Sequence, residues 1–543
     1  MFAHILIVVI AAIVISAFAE RRNIQPAILV AMVGLVASFI PGVPRLELAP
    51  EIILGVVLPP MLFSAASDFS FTSFAQRLGS IVNLGVFMVF GVTVAVGAIA
   101  AMVVPGLPLP AALVLAAVLA PPDAVTAITI GRKAGLPSGL MTVLKGESLI
   151  NDAAALTIFA ATVAAVTGAH AFIDNLPLSF LYSAVVGVLL GLLIGNLAQV
   201  ARRKLGNPSL ATVVSVLVPF AAYLIAEELH ASGVLAVVAA GFAIGHHAVE
   251  AGYEERMQER QFWRTADTLL ETFVFAYIGL QLRFVITDAV EAGIDLVTLF
   301  IASTAIFVAL VVVRFAWVFA TAVLGRWRYK RIRQSLASYK SRRGGRTRPP
   351  PMPPLSWREN IVLSWTGMRG VVTLAAAAGV PTVTLSGADF PGREAILAIA
   401  FLVTIATLLI QGLSLPWLIR RLELSDPRAE RYNAAQHAIA HDLAAAAANE
   451  ALATYSAQHD SPTSRKLVAM MTKRNAQAAA TEHTSARFDG REALALSRIL
   501  LEARRKRLIA ARDARELDDV VLREMLERMD LEQAFMDSRP TTD

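Results

Sequence analysis

Long apolar segments follow one another from Met1 to Leu422, and this pattern strongly limits what the chain can fold into. A helix needs about 20 predominantly apolar residues to cross a bilayer, and about thirteen segments approach that length. Charged residues make up 17% of the 543 residues, against roughly 25% in an average soluble domain. The sequence therefore predicts an all-α polytopic membrane protein.

The apolar segments and the turn residues between them place the predicted spans. The first segment lacks a basic start and a small-residue cleavage site, so we interpret it as a span rather than a signal peptide. In chain order the spans lie near residues 2–19, 26–41, 50–66, 80–104, 109–131, 137–168, 178–200, 208–229, 232–248, 265–288, 295–325, 358–380 and 395–422.

Charge divides the chain into regions. Residues 1–422 form the predicted membrane domain, and the mixed-charge residues 423–543 form a predicted cytoplasmic helical domain. Residues 326–357 form a loop with a basic start and a proline-rich end. We interpret this loop as a topology signal and a stiff linker, with binding to anionic lipid as the alternative. The tail is predicted to be a solvated bundle, and a regulatory or dimer-supporting role is the alternative.

Basic residues alternate between the predicted loops and give an orientation. One set of loops is rich in Lys and Arg, whereas the opposite set contains only Arg45, Arg283 and Arg393. Cytoplasmic loops carry the excess of basic residues, so thirteen spans place the N-terminus outside and the C-terminus inside a plasma membrane. This arrangement accounts for the net charge of +6 without a nucleic-acid partner.

The residue types that the chain lacks exclude further classes. There is no cysteine, so disulfides and thiolate metal sites are excluded. No nucleophile–base pair or metal-ligand pattern occurs outside the polar motifs described next, so neither an enzyme nor a cofactor is expected.

The segment GESLINDAAALTIFA, residues 146–160, places four polar side chains about halfway along the sixth span. Glu147 and Asn151 share one helix face, and Ser148 and Asp152 share the neighbouring face. Hard cations prefer oxygen ligands, and burial disfavours the charged form of a carboxylate. Asp152 and Ser148 are therefore predicted to bind a monovalent metal ion in competition with a proton. A hydrogen-bonded helix-packing cluster is the alternative.

The segment LAPPDAVTA, residues 119–127, predicts a break in the fifth span. Pro121 and Pro122 remove two backbone donors and clash with the preceding turn. A break at membrane depth leaves backbone groups facing a cavity, and Asp123 lies at its centre. Its charge is suited to the positive end of the following half-helix.

The segment WTGMRGVVTLAAA, residues 365–377, predicts a second break in the twelfth span. Arg369 lies between two glycines and needs a partner at this depth. Glu147 is the economical partner, so we predict a structural Glu147–Arg369 ion pair. Arg314 and Glu271 are secondary candidates, which we expect to pair or to line a helix interface.

The two broken spans lie seven positions apart in the helix order, as in inverted repeats of six helices around a linking seventh. At these motifs the chain resembles the electroneutral cation/proton antiporters, which include NhaP-like antiporters and animal sodium/proton exchangers. The resemblance covers Leu58 to about Leu422. It rests on five stretches: LPPMLF from Leu58, APPDAV from Ala120, GESLIND from Gly146, AEELHASGVLAVVAAG from Ala226 and GMRGVV from Gly367.

The resemblance implies an ion-carrying core domain and a second domain that forms a homodimer. Asp152 matches the carboxylate that alternately binds cation and proton, and Asn151 matches the asparagine before it. Ser148 matches a side-chain ligand, and Asp123 matches the acid in the unwound stretch. Glu147 and Arg369 match the buried ion pair of the family.

Two positions depart from the family pattern. Many members have threonine where this chain has Pro122, so a backbone carbonyl is left to coordinate there. Some members have an acid where this chain has Ser64. Both departures affect the expected selectivity among Na⁺, K⁺ and Li⁺.

A single titrating carboxylate predicts one-for-one, electroneutral exchange of Na⁺ for H⁺, which serves pH homeostasis. K⁺/H⁺ antiport is the alternative within the same class. A channel and a transporter-like sensor, with the tail as its output, are alternatives from other classes.

Overall fold

The computed structural model describes residues 2–22, 24–41, 43, 45, 52–123, 125–168, 175–342, 354–424, 427–459, 461–478, 491–514 and 516–538. Regular structure within these residues is helical, apart from one isolated bridge between Val383 and Asp389. The α-helices are α1 (Phe2–Arg21), α2 (Pro26–Ser38), α3 (Leu58–Ser67), α4 (Phe71–Val82), α5 (Met88–Val103), α6 (Leu109–Leu119), α7 (Val125–Ala134), α8 (Ser138–Thr167), α9 (Leu176–Leu205), α10 (Pro208–Glu228), α11 (Gly233–His247), α12 (Tyr253–Glu291), α13 (Leu296–Arg342), α14 (Trp357–Trp365), α15 (Val371–Ala378), α16 (Arg393–Ala406), α17 (Gly412–Leu422), α18 (Pro427–Gln458), α19 (Pro462–Ala478), α20 (Arg491–Asp513) and α21 (Asp519–Asp537).

The chain folds as two compact units. The first comprises Met1–Ala201, Val214–Ile244 and Phe262–Ser425. The second comprises Arg202–Val213, Gly245–Gln261 and Asp426–Asp543. The second unit therefore contains the tail helices α18–α21 together with the first turns of α12.

The apolar helices confirm a polytopic membrane fold. Within the described residues, nine helical stretches are long and apolar enough to cross a membrane. Three shorter apolar stretches accompany them: Pro26–Ser38, Ile53–Ser67 and Leu109–Leu119. The third of these is short because it ends just before the proline pair. The count of thirteen spans and the inverted repeats stay predictions.

Helix α13 is longer than the predicted span. It continues through the start of the predicted basic loop to Arg342. Residues 343–353 of that loop lie outside the described residues. The next helix, α14, begins with a capping box in which Ser356 and Glu359 satisfy each other's backbone N–H groups.

Small residues let two membrane helices approach closely. Gly187, Gly191 and Gly195 repeat every four residues along one face of α9. A Cβ atom at Gly187 would lie 2.7 Å from the carbonyl oxygen of Ser232, and one at Gly191 would overlap that of Ala236. Because apolar helices gain little from contact in lipid beyond close packing, this spacing fixes α9 against α11.

Short π-helical turns interrupt three membrane helices of the first unit. They span Ile53–Val57 before α3, Asn83–Phe87 between α4 and α5, and Thr407–Gln411 between α16 and α17. A π-helical turn changes the direction in which the following side chains point, and such turns are frequent at functional sites.

In the second unit, an apolar cluster and a buried ion network hold the tail helices together. The cluster contains Leu501, Leu508, Leu522 and Leu526. Asp530 accepts hydrogen bonds from Arg505 of α20 (Nη2 to Oδ1, 2.9 Å) and from Arg256 of α12 (Nε to Oδ2, 2.8 Å). The tail is thus helical, and its cytoplasmic location stays a prediction.

Candidate ion-binding site

Helix α8 supplies four polar side chains to the interior of the first unit. Asn151 and Glu147 are buried, Asp152 is 7% exposed and Ser148 is half-buried. The i, i+4 spacing places them on two adjacent faces of a 30-residue helix, as predicted. Mid-helix carboxylates inside an apolar unit indicate a functional site, because the charge is costly there.

The first break separates α6 from α7 at the proline pair. Asn151 Nδ2 donates a hydrogen bond to the carbonyl oxygen of Pro122, 2.7 Å away. Asp123 N donates to the carbonyl oxygen of Met368, 2.6 Å away, in the second break. Backbone groups that a continuous helix would satisfy are therefore satisfied by the Asn151 side chain of α8 and by the second break.

The second break separates α14 from α15 between Thr366 and Gly370. The Asp123 carboxylate lies against the backbone of Gly370, because a Cβ atom added there would overlap it. Only glycine permits this approach. The two breaks therefore cross at Asp123 and Gly370.

Arg369 donates its hydrogen bonds to backbone carbonyl groups rather than to a carboxylate. Its Nε donates to the carbonyl oxygen of Leu119, 2.9 Å away, at the end of α6, and its Nη1 donates to the carbonyl oxygen of Gly367. The guanidinium satisfies carbonyl groups that have no helical partner and offsets the negative end of α6.

The predicted Glu147–Arg369 ion pair is wrong, because Arg314 of α13 occupies the place of Arg369. Arg314 Nη1 lies 2.6 Å from Glu147 Oε1, and Nη2 lies 3.0 Å from Oε2. Arg314 Nε and Nη2 also donate to the carbonyl oxygen of Leu363, in the last turn of α14. The sequence analysis gave Arg314 only as a secondary candidate. Two arginines fall within predicted spans near one glutamate, and the sequence does not show which of them pairs with it.

Ser64 forms a hydrogen bond to a carboxylate that the sequence reasoning did not identify. Its hydroxyl donates to Asp267 Oδ2 of α12, 2.6 Å away. Asp267 lies one helical turn before Glu271, so the two acids share a face. The sequence could have indicated Asp267 as a candidate, because this acid falls inside the predicted span 265–288. Asp123 and Asp267 are both electrostatic neighbours of Glu271.

The arrangement offers oxygen ligands to a hard cation. Asp123 is a like-charge neighbour of the buried Asp152. The side-chain oxygen of Asn151 is buried without a hydrogen-bond partner among the described residues. Two repelling carboxylates and an unpaired amide oxygen fit a monovalent cation, because such ions replace their water shell with oxygen atoms. No group of three His, Asp or Glu side chains forms a metal site within the part of the chain that the structure describes.

Comparisons with protein families and with individual relatives both match this chain to sodium/hydrogen exchangers. The family described as sodium/hydrogen exchanger, transmembrane, matches residues 5–421. An uncharacterized Na⁺/H⁺ exchanger of Mycobacterium tuberculosis is 31% identical over 97% of this chain and 95% of its own length. A Bacillus pumilus protein named sodium, potassium, lithium and rubidium/H⁺ antiporter is 30% identical over 72% of this chain and 57% of its own length.

A solved structure has a similar fold. The sodium proton antiporter MjNhaP1 of Methanocaldococcus jannaschii superimposes with a TM-score of 0.56 over 78% of this chain and 99% of its own. The sequence identity is 18%, so this likeness bears on the fold alone.

Proposed function

This chain belongs to the sodium/hydrogen exchanger family, and we propose that it exchanges Na⁺ for H⁺ by competition of the two ions at Asp152. The observation that carries the proposal is the burial of the Asp152 carboxylate beside the broken stretch that contains Asp123. A carboxylate at this depth can hold a metal ion or a proton, and either one neutralises it.

Charge balance around the site supports one-for-one exchange. Glu147 is neutralised by Arg314. Asn151, beside Asp152, has no charge. In this scheme Asp152 alone exchanges its ion, while the neighbouring acids Asp123, Asp267 and Glu271 keep their protonation states. One Na⁺ then replaces one H⁺ and no net charge moves.

The oxygen atoms around Asp152 form the proposed coordination sphere. Ser148 contributes a hydroxyl, Asn151 contributes its amide oxygen, and Pro122 contributes a backbone carbonyl. Asp123 adds negative charge, which attracts a cation into the site. The site needs no resident cofactor, since the transported ions are the substrates.

The energetics of the membrane couple the two ion movements. An empty, charged site is too costly to carry through the bilayer, whereas a site neutralised by Na⁺ or H⁺ is not. In this scheme the site opens to one side at a time and changes sides only when occupied. A proton gradient then drives Na⁺ in the opposite direction.

K⁺/H⁺ exchange is the second candidate. The name of the Bacillus pumilus relative, which includes potassium, lithium and rubidium, favours a broad cation range. Pro122 and Ser64 are the two positions where this chain departs from the family pattern, and we expect both to affect the choice between Na⁺ and K⁺.

We further propose that the chain works in the plasma membrane as a homodimer, with its N-terminus outside and its C-terminus in the cytoplasm. The distribution of basic residues supports this orientation, because positive loops remain on the cytoplasmic side.

The test is cation-dependent proton flux in inverted membrane vesicles, followed with a pH-sensitive dye while Na⁺, Li⁺ and K⁺ are added separately. Asp152→Asn is expected to abolish flux for every cation while the protein still inserts. Asp288→Asn is the matched control, because it removes a partly exposed carboxylate that pairs with Arg45. Appreciable cation-dependent proton flux in Asp152→Asn would refute the assignment. In the wild type, a cation current without accompanying proton movement would indicate a channel.

A further inference from the structure

A threonine outside the motifs holds the second break in place. Thr407 begins the π-helical turn Thr407–Gln411, which follows α16 directly. Its side chain is fully buried. The extra residue of a π-helical turn leaves the local hydrogen-bond pattern open and changes the direction of nearby side chains.

The Thr407 hydroxyl makes two hydrogen bonds. It accepts one from the backbone N–H of Arg369, at 3.0 Å, and donates one to the carbonyl oxygen of Thr404, at 2.8 Å. Arg369 lies between α14 and α15, where no helical carbonyl is available to its N–H group. A buried N–H group without a partner is strongly unfavourable, so this hydroxyl determines the path of the backbone.

The peptide that Thr407 holds lies between two contacts to Asp123. On one side, Met368 accepts a hydrogen bond from the backbone of Asp123. On the other side, Gly370 lies directly against the Asp123 carboxylate. A shift of the Arg369 peptide therefore moves both contacts, and with them the acid beside Asp152.

We propose that Thr407 is a positioning residue for the ion site, which fixes Asp123 beside Asp152 through the backbone of Arg369. This inference rests on the proposed function. It predicts that removal of the hydroxyl weakens cation binding, although Thr407 itself contacts no transported ion.

Thr404, in the last turn of α16, provides a control three residues away. It is also fully buried, and its hydroxyl has no hydrogen-bond partner among the residues that the structure describes. Replacement of Thr404 by valine exchanges a hydroxyl for a methyl group of similar size, as Thr407→Val does. Thr407→Val therefore loses the hydrogen bond to the backbone N–H of Arg369, whereas Thr404→Val loses no hydrogen bond to the second break.

The experiment measures Na⁺-dependent proton flux in vesicles over a range of Na⁺ concentrations and separates half-saturation from maximal rate. Thr407→Val is expected to raise the half-saturating Na⁺ concentration about tenfold, the effect of about 1.4 kcal/mol. Thr404→Val is expected to leave it unchanged, and Thr407→Ser is expected to restore the wild-type value. A loss of folded protein alone would lower the maximal rate and leave half-saturation unchanged.

Three outcomes overturn the proposal: equal half-saturation in Thr407→Val and Thr404→Val, a change confined to the maximal rate, or failure of Thr407→Ser to restore affinity. If Thr407→Val does not accumulate, Thr407→Ala and Thr407→Ser are compared instead. Equal affinity in those two variants also overturns it. Absence of exchange in the wild type would refute the proposed function itself, which distinguishes the two failures.

Discussion

Glu147 and Arg314 form a buried ion pair with two hydrogen bonds, of 2.6 and 3.0 Å, between α8 and α13. Their side chains are 2% and 3% exposed. Arg314 also binds the carbonyl oxygen of Leu363 at the end of α14. One guanidinium thus connects the helix of Asp152 to one half of a broken helix.

Removal of one partner of this pair is expected to destabilise the protein strongly. Glu147→Gln leaves the Arg314 charge buried and unpaired, which costs about 3–5 kcal/mol. The measurement is the thermal unfolding midpoint of the purified protein in detergent. Glu394→Gln is the control, since Glu394 is partly exposed and lies 3.9 Å from its arginine. Similar midpoints for the two variants would show that the Glu147 pair is not structural.

A methyl group at Gly370 is expected to disable exchange. A Cβ atom there overlaps the Asp123 carboxylate, so Gly370→Ala must displace the acid from its present position. We expect at least a tenfold loss of affinity for Na⁺, or about 1.4 kcal/mol, measured as cation-dependent proton flux. Gly325→Ala is the control, because a Cβ atom at Gly325 has nothing within 4 Å. Wild-type affinity in Gly370→Ala would contradict the crossing of the two breaks.

Asp530 is expected to be essential for the stability of the second unit. Asp530→Asn leaves the buried side chains of Arg256 and Arg505 without their carboxylate, a loss of about 3 kcal/mol. Limited proteolysis of the full chain should then cut within α20 or α21 at lower protease concentrations. Asp513→Asn, at a carboxylate with a side chain that is 59% exposed, should behave as the wild type. Equal protease resistance in both variants would be evidence against the network.

Glu492 gives the tail a predictable response to acid. Hydrogen bonds from Ser464 and then Tyr455 lower the pKa of the Glu492 carboxyl from its ordinary 4.5. A carboxyl with a lowered pKa stabilises the folded state at neutral pH, and that stability is lost as pH falls through the lowered value. The melting temperature of the wild type should exceed that of Glu492→Gln at pH 7, and the difference should shrink below pH 4.5. A difference in melting temperature that grows as the pH falls would contradict a lowered pKa of Glu492 in the folded state.

The sequence predicted which polar side chains lie in the interior better than it predicted their partners; their roles in ion binding stay predictions. Helical spacing was sufficient to place Asp152 and Asn151 in the interior, because a polar stripe in an apolar helix has one economical location. Proline and glycine patterns were sufficient to locate both breaks, because these residues act on the local backbone.

Pairing across helices could not be predicted in the same way. Arg314 and Arg369 are both buried arginines, and their choice between a carboxylate and helix-end carbonyls depends on tertiary packing. The proposed role of Thr407 had no sequence signal, because the sequence of its π-helical turn does not differ from that of an ordinary apolar helix.

The crossing of the two breaks has a consequence for how the site can change sides. The backbone N–H of Asp123 donates to the carbonyl oxygen of Met368, and the side chain of Arg369 donates to the carbonyl oxygen of Leu119, so each interrupted helix holds the other. Sliding of one past the other would rupture both bonds in an apolar interior. For the proposed exchange cycle we therefore expect the two broken helices to move together, with any sliding surface outside the crossing.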